Sequence, residues 1–100
     1  EKVVEVCCAN PARIFGCAPR KGSLAVGGDA DIVLYDPKKD FVISKENMHS
    51  KTDYTIWEGK KLKGYPVMVF SRGRPVFKDG KFVGSPGQGA FIKCGKRSWK

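Results

Sequence analysis

Apolar residues crowd the first sixteen positions in a helical pattern and then break into strand-length pieces. Val3, Val4, Val6, Cys7 and Cys8 form one block, and Ala12, Ile14 and Phe15 form the next. Between them, Asn10-Pro11 reads as a fresh helix start, with Asn as N-cap and Pro at the first helical position. Because Pro disfavours a helical residue before it, a kink or short break is expected at Asn10. Gly16 follows as a left-handed stop. Beyond it, Gly and Pro punctuate the chain. Leu24-Ala25-Val26 reads as a short extended piece, and Ile32-Val33-Leu34-Tyr35 as a strand covered on both faces. Phe41-Val42-Ile43 reads as another short strand, and residues 44–65 as a polar surface loop. Val67-Met68-Val69-Phe70 is a strong strand. The turn Arg72-Gly73-Arg74 leads to Pro75-Val76-Phe77, and Asp79-Gly80 is a hairpin pair returning as Lys81-Phe82-Val83. Residues 66–83 are therefore expected to form a three-stranded antiparallel meander, followed by an irregular basic tail.

The fold class that follows is mostly β with an N-terminal helical segment. The expected divisions are 1–16 (helical), 17–83 (strands) and 84–100 (tail). About six short strands with one helix form an open sheet lacking a second layer. Other chain segments are expected to complete it. The chain begins without Met, as a fragment or a processed N-terminus would.

At 100 residues, with 41% hydrophobic and 29% charged, the composition is that of a globular domain rather than a disordered one. No apolar run approaches the roughly 20 residues a membrane helix needs, and no signal peptide is evident. The net charge of +9 raises nucleic-acid binding as a reading. The basic residues are dispersed, however, with groups only at Lys60, Lys61 and Lys63 and at Lys93, Lys96, Arg97 and Lys100. Solvated surface lysines and a basic tail account for them. Four cysteines, Cys7, Cys8, Cys17 and Cys94, contain no Cys-x-x-Cys pair. Free thiols in a reducing cytoplasm are expected, rather than two disulfides or a zinc site.

A search for chemistry finds no convergent site. One histidine, His49, cannot build a multi-histidine metal centre, and Ser50 beside it is no nucleophile–base pair. The segments Gly22 to Gly28 and Gly84 to Gly89 lack the phosphate-loop core and read as turns. Asp29, Asp31 and Asp36 flank a strand, where Asp commonly terminates pairing. Trp57 and Trp99 are single aromatics, weak as a stacking platform. No catalytic, cofactor-binding or metal-binding residue is assigned.

The run Asn10-Pro11-Ala12-Arg13-Ile14-Phe15-Gly16, with Pro19-Arg20-Lys21-Gly22, Ala25-Val26-Gly27, Asp29-Ala30-Asp31-Ile32-Val33 and Asp36-Pro37, resembles the C-terminal region of the amidohydrolase superfamily. His49-Ser50, Asp53-Tyr54, Glu58-Gly59, Lys63-Gly64, Pro66-Val67, Arg72-Gly73, Asp79-Gly80, Phe82-Val83-Gly84 and Pro86-Gly87 with Gly89 and Phe91 resemble its hydantoinase/dihydropyrimidinase branch. The resemblance covers essentially the whole chain. Cys17-Ala18 and Met48 depart from the pattern, where larger apolar residues and a second histidine are common.

The resemblance implies a parent enzyme with a metal-dependent (β/α)8 barrel and a β-sandwich assembled from both chain ends. It also implies two divalent metals, usually zinc, a hydrolysed cyclic amide C–N bond and a tetramer held partly by the tail. On that view these residues are the last barrel-associated helix and the C-terminal sandwich strands. The barrel is absent, and this chain alone is expected to be inactive. Two other readings stand beside it. One is a segment of a non-enzymatic, collapsin-response-mediator-like relative; the other is a small basic nucleic-acid-binding β domain.

Overall fold

Pro11 shapes the N-terminal helix. Its ring crowds the carbonyl four residues back and its nitrogen cannot donate. In the computed structural model, which describes residues 1–96, the chain opens with α1 (Lys2–Val4) and continues through a π-helical turn (Glu5–Ala9) into α2 (Asn10–Ile14). The wider π turn spans the carbonyls that the proline crowds. Asn10 stays helical, at φ −63° and ψ −48°. The break expected there is absent; the irregularity is taken up one turn earlier instead. Asn10 is not the N-cap either, since Ala9 before it is already helical and no side chain caps α2. The Asn10 side chain accepts from Arg13 instead.

The helix ends as expected at Gly16, whose φ is +69°. Its N–H donates to Arg13 (3.1 Å) and the Cys17 N–H donates to Ala12 (2.7 Å). These two bonds are the crossed pair of a Schellman ending, which a glycine in the left-handed region permits. Leu24 to Val26 forms no strand: all three apolar side chains are exposed, and the segment ends in a turn closed by Gly28 N–H to the Ala25 carbonyl. A run of three apolar residues with no strand to pair against has nothing to hold it extended.

Four strands follow in the order β1 (Ile32–Val42), β2 (Lys61–Ser71), β3 (Arg74–Lys78) and β4 (Lys81–Phe82), each antiparallel to the next. The two strands expected around residues 32–35 and 41–43 are one long strand with a bulge at Pro37 to Lys39, between Asp36↔Tyr65 and Asp40↔Lys63. The Asp36 carboxylate accepts from the Lys38 N–H (2.9 Å) inside that bulge. The other two register shifts fall at Pro66 and Pro75, residues that cannot donate to a ladder. β2 begins at Lys61, so the polar segment expected to loop to residue 65 is strand from there onward. Its charged side chains alternate along an edge that β1 pairs.

The expected meander is observed in β2–β3–β4. Both of its turns have two consecutive positive φ values, Arg72 (49°) with Gly73 (77°) and Asp79 (49°) with Gly80 (83°). Such a turn matches the twist of the strands it joins. From Val83 to Lys96 the tail contains neither helix nor strand. Arg97, Trp99 and Lys100 lie outside the described residues.

Little of this is internally buried. Among the described residues the buried hydrophobic side chains are Ala12 and Ile43, at 7% and 8% exposure. The expectation that Ile32 to Tyr35 is covered on both faces fails within this chain: Val33, Leu34 and Tyr35 are exposed. Among the described residues no second layer lies over them. The radius of gyration is 15.6 Å, against roughly 13 Å for a close-packed domain of this length.

Candidate functional site

Two features of the described residues involve convergent side chains. The first is an ionic knot where the segment after α2 meets the sheet. Arg20 Nε donates to both oxygens of Asp29, at 3.1 and 3.0 Å. Lys21 Nζ lies 2.9 Å from Asp29 Oδ2 and also contacts Asp31 Oδ2. The other oxygen of Asp31 accepts from the Arg72 N–H (2.8 Å), in the turn joining β2 to β3. Gly73 N–H adds a bond to the Ala30 carbonyl (2.9 Å). Hydrogen bonds from Lys21 hold the Asp29 and Asp31 carboxyls below the usual carboxylate range, and those bonds in turn raise the Lys21 ammonium above its ordinary value. Asp29 gains further from Arg20, and Asp31 from the Arg72 N–H. Every charge in the knot faces a partner, so it is built to join two segments rather than to move a proton.

The second feature is an open apolar groove of about 480 Å³ beside the knot. Val4, Cys8, Ala12 and Phe15 line it from the helical side, and Ile32 and Val33 from the start of β1. A close approach keeps the groove in shape. A Cβ on Gly22, at φ +91°, would lie 2.9 Å from the Cys8 carbonyl, so the π-helical turn and the loop pack backbone to backbone. Phe15 is 62% exposed and Val3 73% exposed, so the helix turns apolar side chains outward.

His49 lies elsewhere, exposed and edge-on to Phe77, with ring centroids 5.6 Å apart. Phe77 in turn faces Tyr65, which stacks on Phe41 at 4.2 Å. The loop histidine thus closes an aromatic row on the sheet. Among the described residues no group of three or more His, Cys, Asp or Glu is placed to hold a metal ion. Asp29 and Asp31 are taken by Lys21, Arg20 and Arg72, and the donor set does not fit a two-metal centre. Sequence reading set Asp29 and Asp31 down as strand-flanking turn residues and missed their joint use. The nearby basic pair, Arg20-Lys21, was the available signal, but nothing local to it indicates the turn 41 residues away that Asp31 reaches.

The profile of the Amidohydrolase family matches residues 1–76. The D-hydantoinase of Ralstonia pickettii is 45% identical over 97 residues, which is 97% of this chain and 21% of that protein. Two solved structures superpose closely. A D-hydantoinase from a Bacillus species does so with a TM-score of 0.90 at 42% identity, over 95% of this chain and 21% of its own. The dihydropyrimidinase from Brevibacillus agri has a TM-score of 0.90 at 40% identity, with the same coverage. The chain spans about a fifth of the length of the curated relatives it matches. With the family profile over three-quarters of the chain, and similarity to hydantoinases in fold and sequence along nearly all of it, the chain belongs to the amidohydrolase family.

Proposed function

We propose that these residues are the C-terminal scaffold and assembly segment of a hydantoinase/dihydropyrimidinase-type enzyme that hydrolyses the C–N bond of cyclic amides. The observation that carries the reading is the unburied apolar surface. A sheet and a helix that pair so well with solved hydantoinases bury only Ala12 and Ile43 among the hydrophobic side chains of their described residues. Apolar area of this extent is normally removed from water by another surface. The remainder of a longer chain, a (β/α)8 barrel and the N-terminal strands of a β-sandwich, is the cover. β1 supports this. Among the described residues it pairs only with β2, leaving its other edge open along Ile32 to Tyr35, and such an edge is a template for further strands.

On this reading residues 1–16 close the barrel domain, residues 17–83 belong to the sandwich, and residues 84–100 contribute to a homotetramer. The two divalent metals, zinc by preference, and the catalytic groups reside in the rest of the enzyme. This chain's donors do not fit them, and no catalytic step is routed through it. Four unpaired thiols suit a reducing cytoplasm.

The purified 100-residue chain is expected to hydrolyse neither hydantoin nor dihydrouracil with added zinc, while the longer protein carrying it does so in a metal-dependent way. Turnover by the 100 residues alone sinks the reading. So does a longer protein that lacks activity with either substrate across zinc, manganese and cobalt.

A further inference from the structure

We propose that Cys17 and Cys94 form a reversible disulfide that ties the tail to the C-terminal end of α2. The inference stands apart from the enzymatic reading and rests on one backbone contact. The Gly95 N–H donates to the Gly16 carbonyl at 2.7 Å. A Cβ on Gly16 would lie 2.5 Å from the Gly95 carbonyl oxygen and 3.0 Å from its carbon, so the two backbones touch where neither residue has a side chain.

The bond joins two particular peptide units, Gly16–Cys17 and Cys94–Gly95. Standard peptide dimensions therefore keep the two cysteine α-carbons within about 8 Å of each other. A disulfide spans about 4.4 to 6.8 Å between α-carbons. That span falls within the bound the contact sets. Cys17 Sγ is held by no more than a weak contact to the Phe15 carbonyl, at 3.9 Å. Cys94 is exposed and open to attack. Cys7 and Cys8 are also exposed and lie on the π turn, where Cys8 lines the same groove as Cys17, but neither adjoins the Gly16–Gly95 bond in sequence.

The chemistry is thiol–disulfide exchange with a small-molecule disulfide such as oxidised glutathione. The Cys94 thiolate attacks one sulfur, forming a mixed disulfide and releasing one reduced glutathione. The Cys17 thiolate then attacks Cys94 Sγ, forming the Cys17–Cys94 bond and releasing the second. Two protons leave the protein thiols and two are taken up by the released thiolates. Lys93 and Lys96 flank Cys94 and attract the anionic oxidant. Besides the Gly95–Gly16 bond, the tail is tethered by Arg72, which donates to the Gln88 carbonyl. Oxidation replaces a two-point tether with a covalent one and closes a loop over most of the chain.

The test uses the intact protein that carries these residues, purified reduced, treated with oxidised glutathione, alkylated and digested with trypsin. Cys17 falls in the peptide Ile14–Arg20, Cys94 in Cys94–Lys96, and Cys7 with Cys8 in Val3–Arg13. The expected product joins the first two peptides, exceeds any other partner of Cys17 by about tenfold or more, and is lost on reduction. In concentrated urea the preference passes to Cys8–Cys17, because the shorter loop closes at lower entropic cost. Cys17→Ser and Cys94→Ser each remove the product and leave the far-ultraviolet circular dichroism unchanged. Alkylated Cys17 and Cys94 after oxidation, a Cys17 bond to Cys7 or Cys8 under native conditions, or equal Cys17–Cys94 yield in urea would each overturn the proposal.

Discussion

Residues 32–83 and residues 1–31 handle their apolar side chains differently. In the sheet, Phe41, Tyr65, Phe77 and His49 stack in a row across three strands and a loop, and Ile43 is buried where the Gly59 N–H and the Lys60 carbonyl extend the ladder. These contacts lie within the chain, although Val33, Leu34 and Tyr35 of the same sheet remain exposed. The helical segment turns Val3, Val4, Val6 and Phe15 outward and is joined to the sheet mainly through charges, by way of Lys21, Asp31 and the Arg72 turn. Exposed ionic contacts of this kind supply little stability on their own. They do supply direction, since a carboxylate bonded to a particular turn fixes where the segment lies. The lesson is that a piece of structure can be correctly shaped in one region by its own packing, and in another be only aimed, with the packing left to a partner surface.

Substitutions separate the two regions. Ile43→Ala should cost about 3 kcal/mol, because it empties the most buried large side chain; the loss should appear in denaturation of the 100-residue chain and of the longer protein alike. If the 100-residue chain is indifferent, the sheet does not carry its own packing. Phe15→Ala should change the 100-residue chain by less than about 0.5 kcal/mol yet cost the longer protein about 3 kcal/mol. Equal effects in both would erase the contrast, since the helix would then be no more dependent on a cover than the sheet.

Gly80→Val should cost about 1–2 kcal/mol, read as a faster hydrogen exchange of the β3 and β4 amides. No neighbouring atom obstructs a Cβ there, so the effect isolates the left-handed backbone at φ +83°. Asp31→Ala is expected to have the smallest effect, about 1 kcal/mol after allowing for its exposure, with protection lost at the Arg72 and Gly73 amides but not at Val83. The same knot has a pH signature. Carboxyls held below their ordinary value contribute stability above the unfolded value of about 3.9 and lose it as pH falls through their folded values. Lys21, raised, contributes fully below about 10.4 and loses its part as pH climbs past that. Arg72 and Gly73 protection should therefore be flat between about pH 5 and 9 and fall at both ends, most steeply in acid.

Much of the architecture could be read from local chemistry. Asp79-Gly80 and Arg72-Gly73 specify tight turns because only certain residues tolerate two positive φ values in succession, and Gly16 specifies a helix end for the same reason. The three apolar clusters of β2, β3 and β4 needed only those turns to pair. Less legible were features set by partners distant in sequence. β1 reads as two strands until its shared partner β2 shows one strand bulged at Pro37 to Lys39. Leu24 to Val26 reads as extended but has no neighbour to pair with. Pro11 signals an irregular helix, and which turn absorbs it depends on where the backbone can widen.

The sequence by itself determined the family, the helix end and the hairpin turns, because those depend on residue identity and short spacing. Only the tertiary structure decided that Asp31 reaches the Arg72 turn, that Gly16 and Gly95 touch between two cysteines, and that so much apolar surface lies uncovered. Such facts arise from contacts between segments tens of residues apart. Their energies depend on burial and register, which no local pattern encodes.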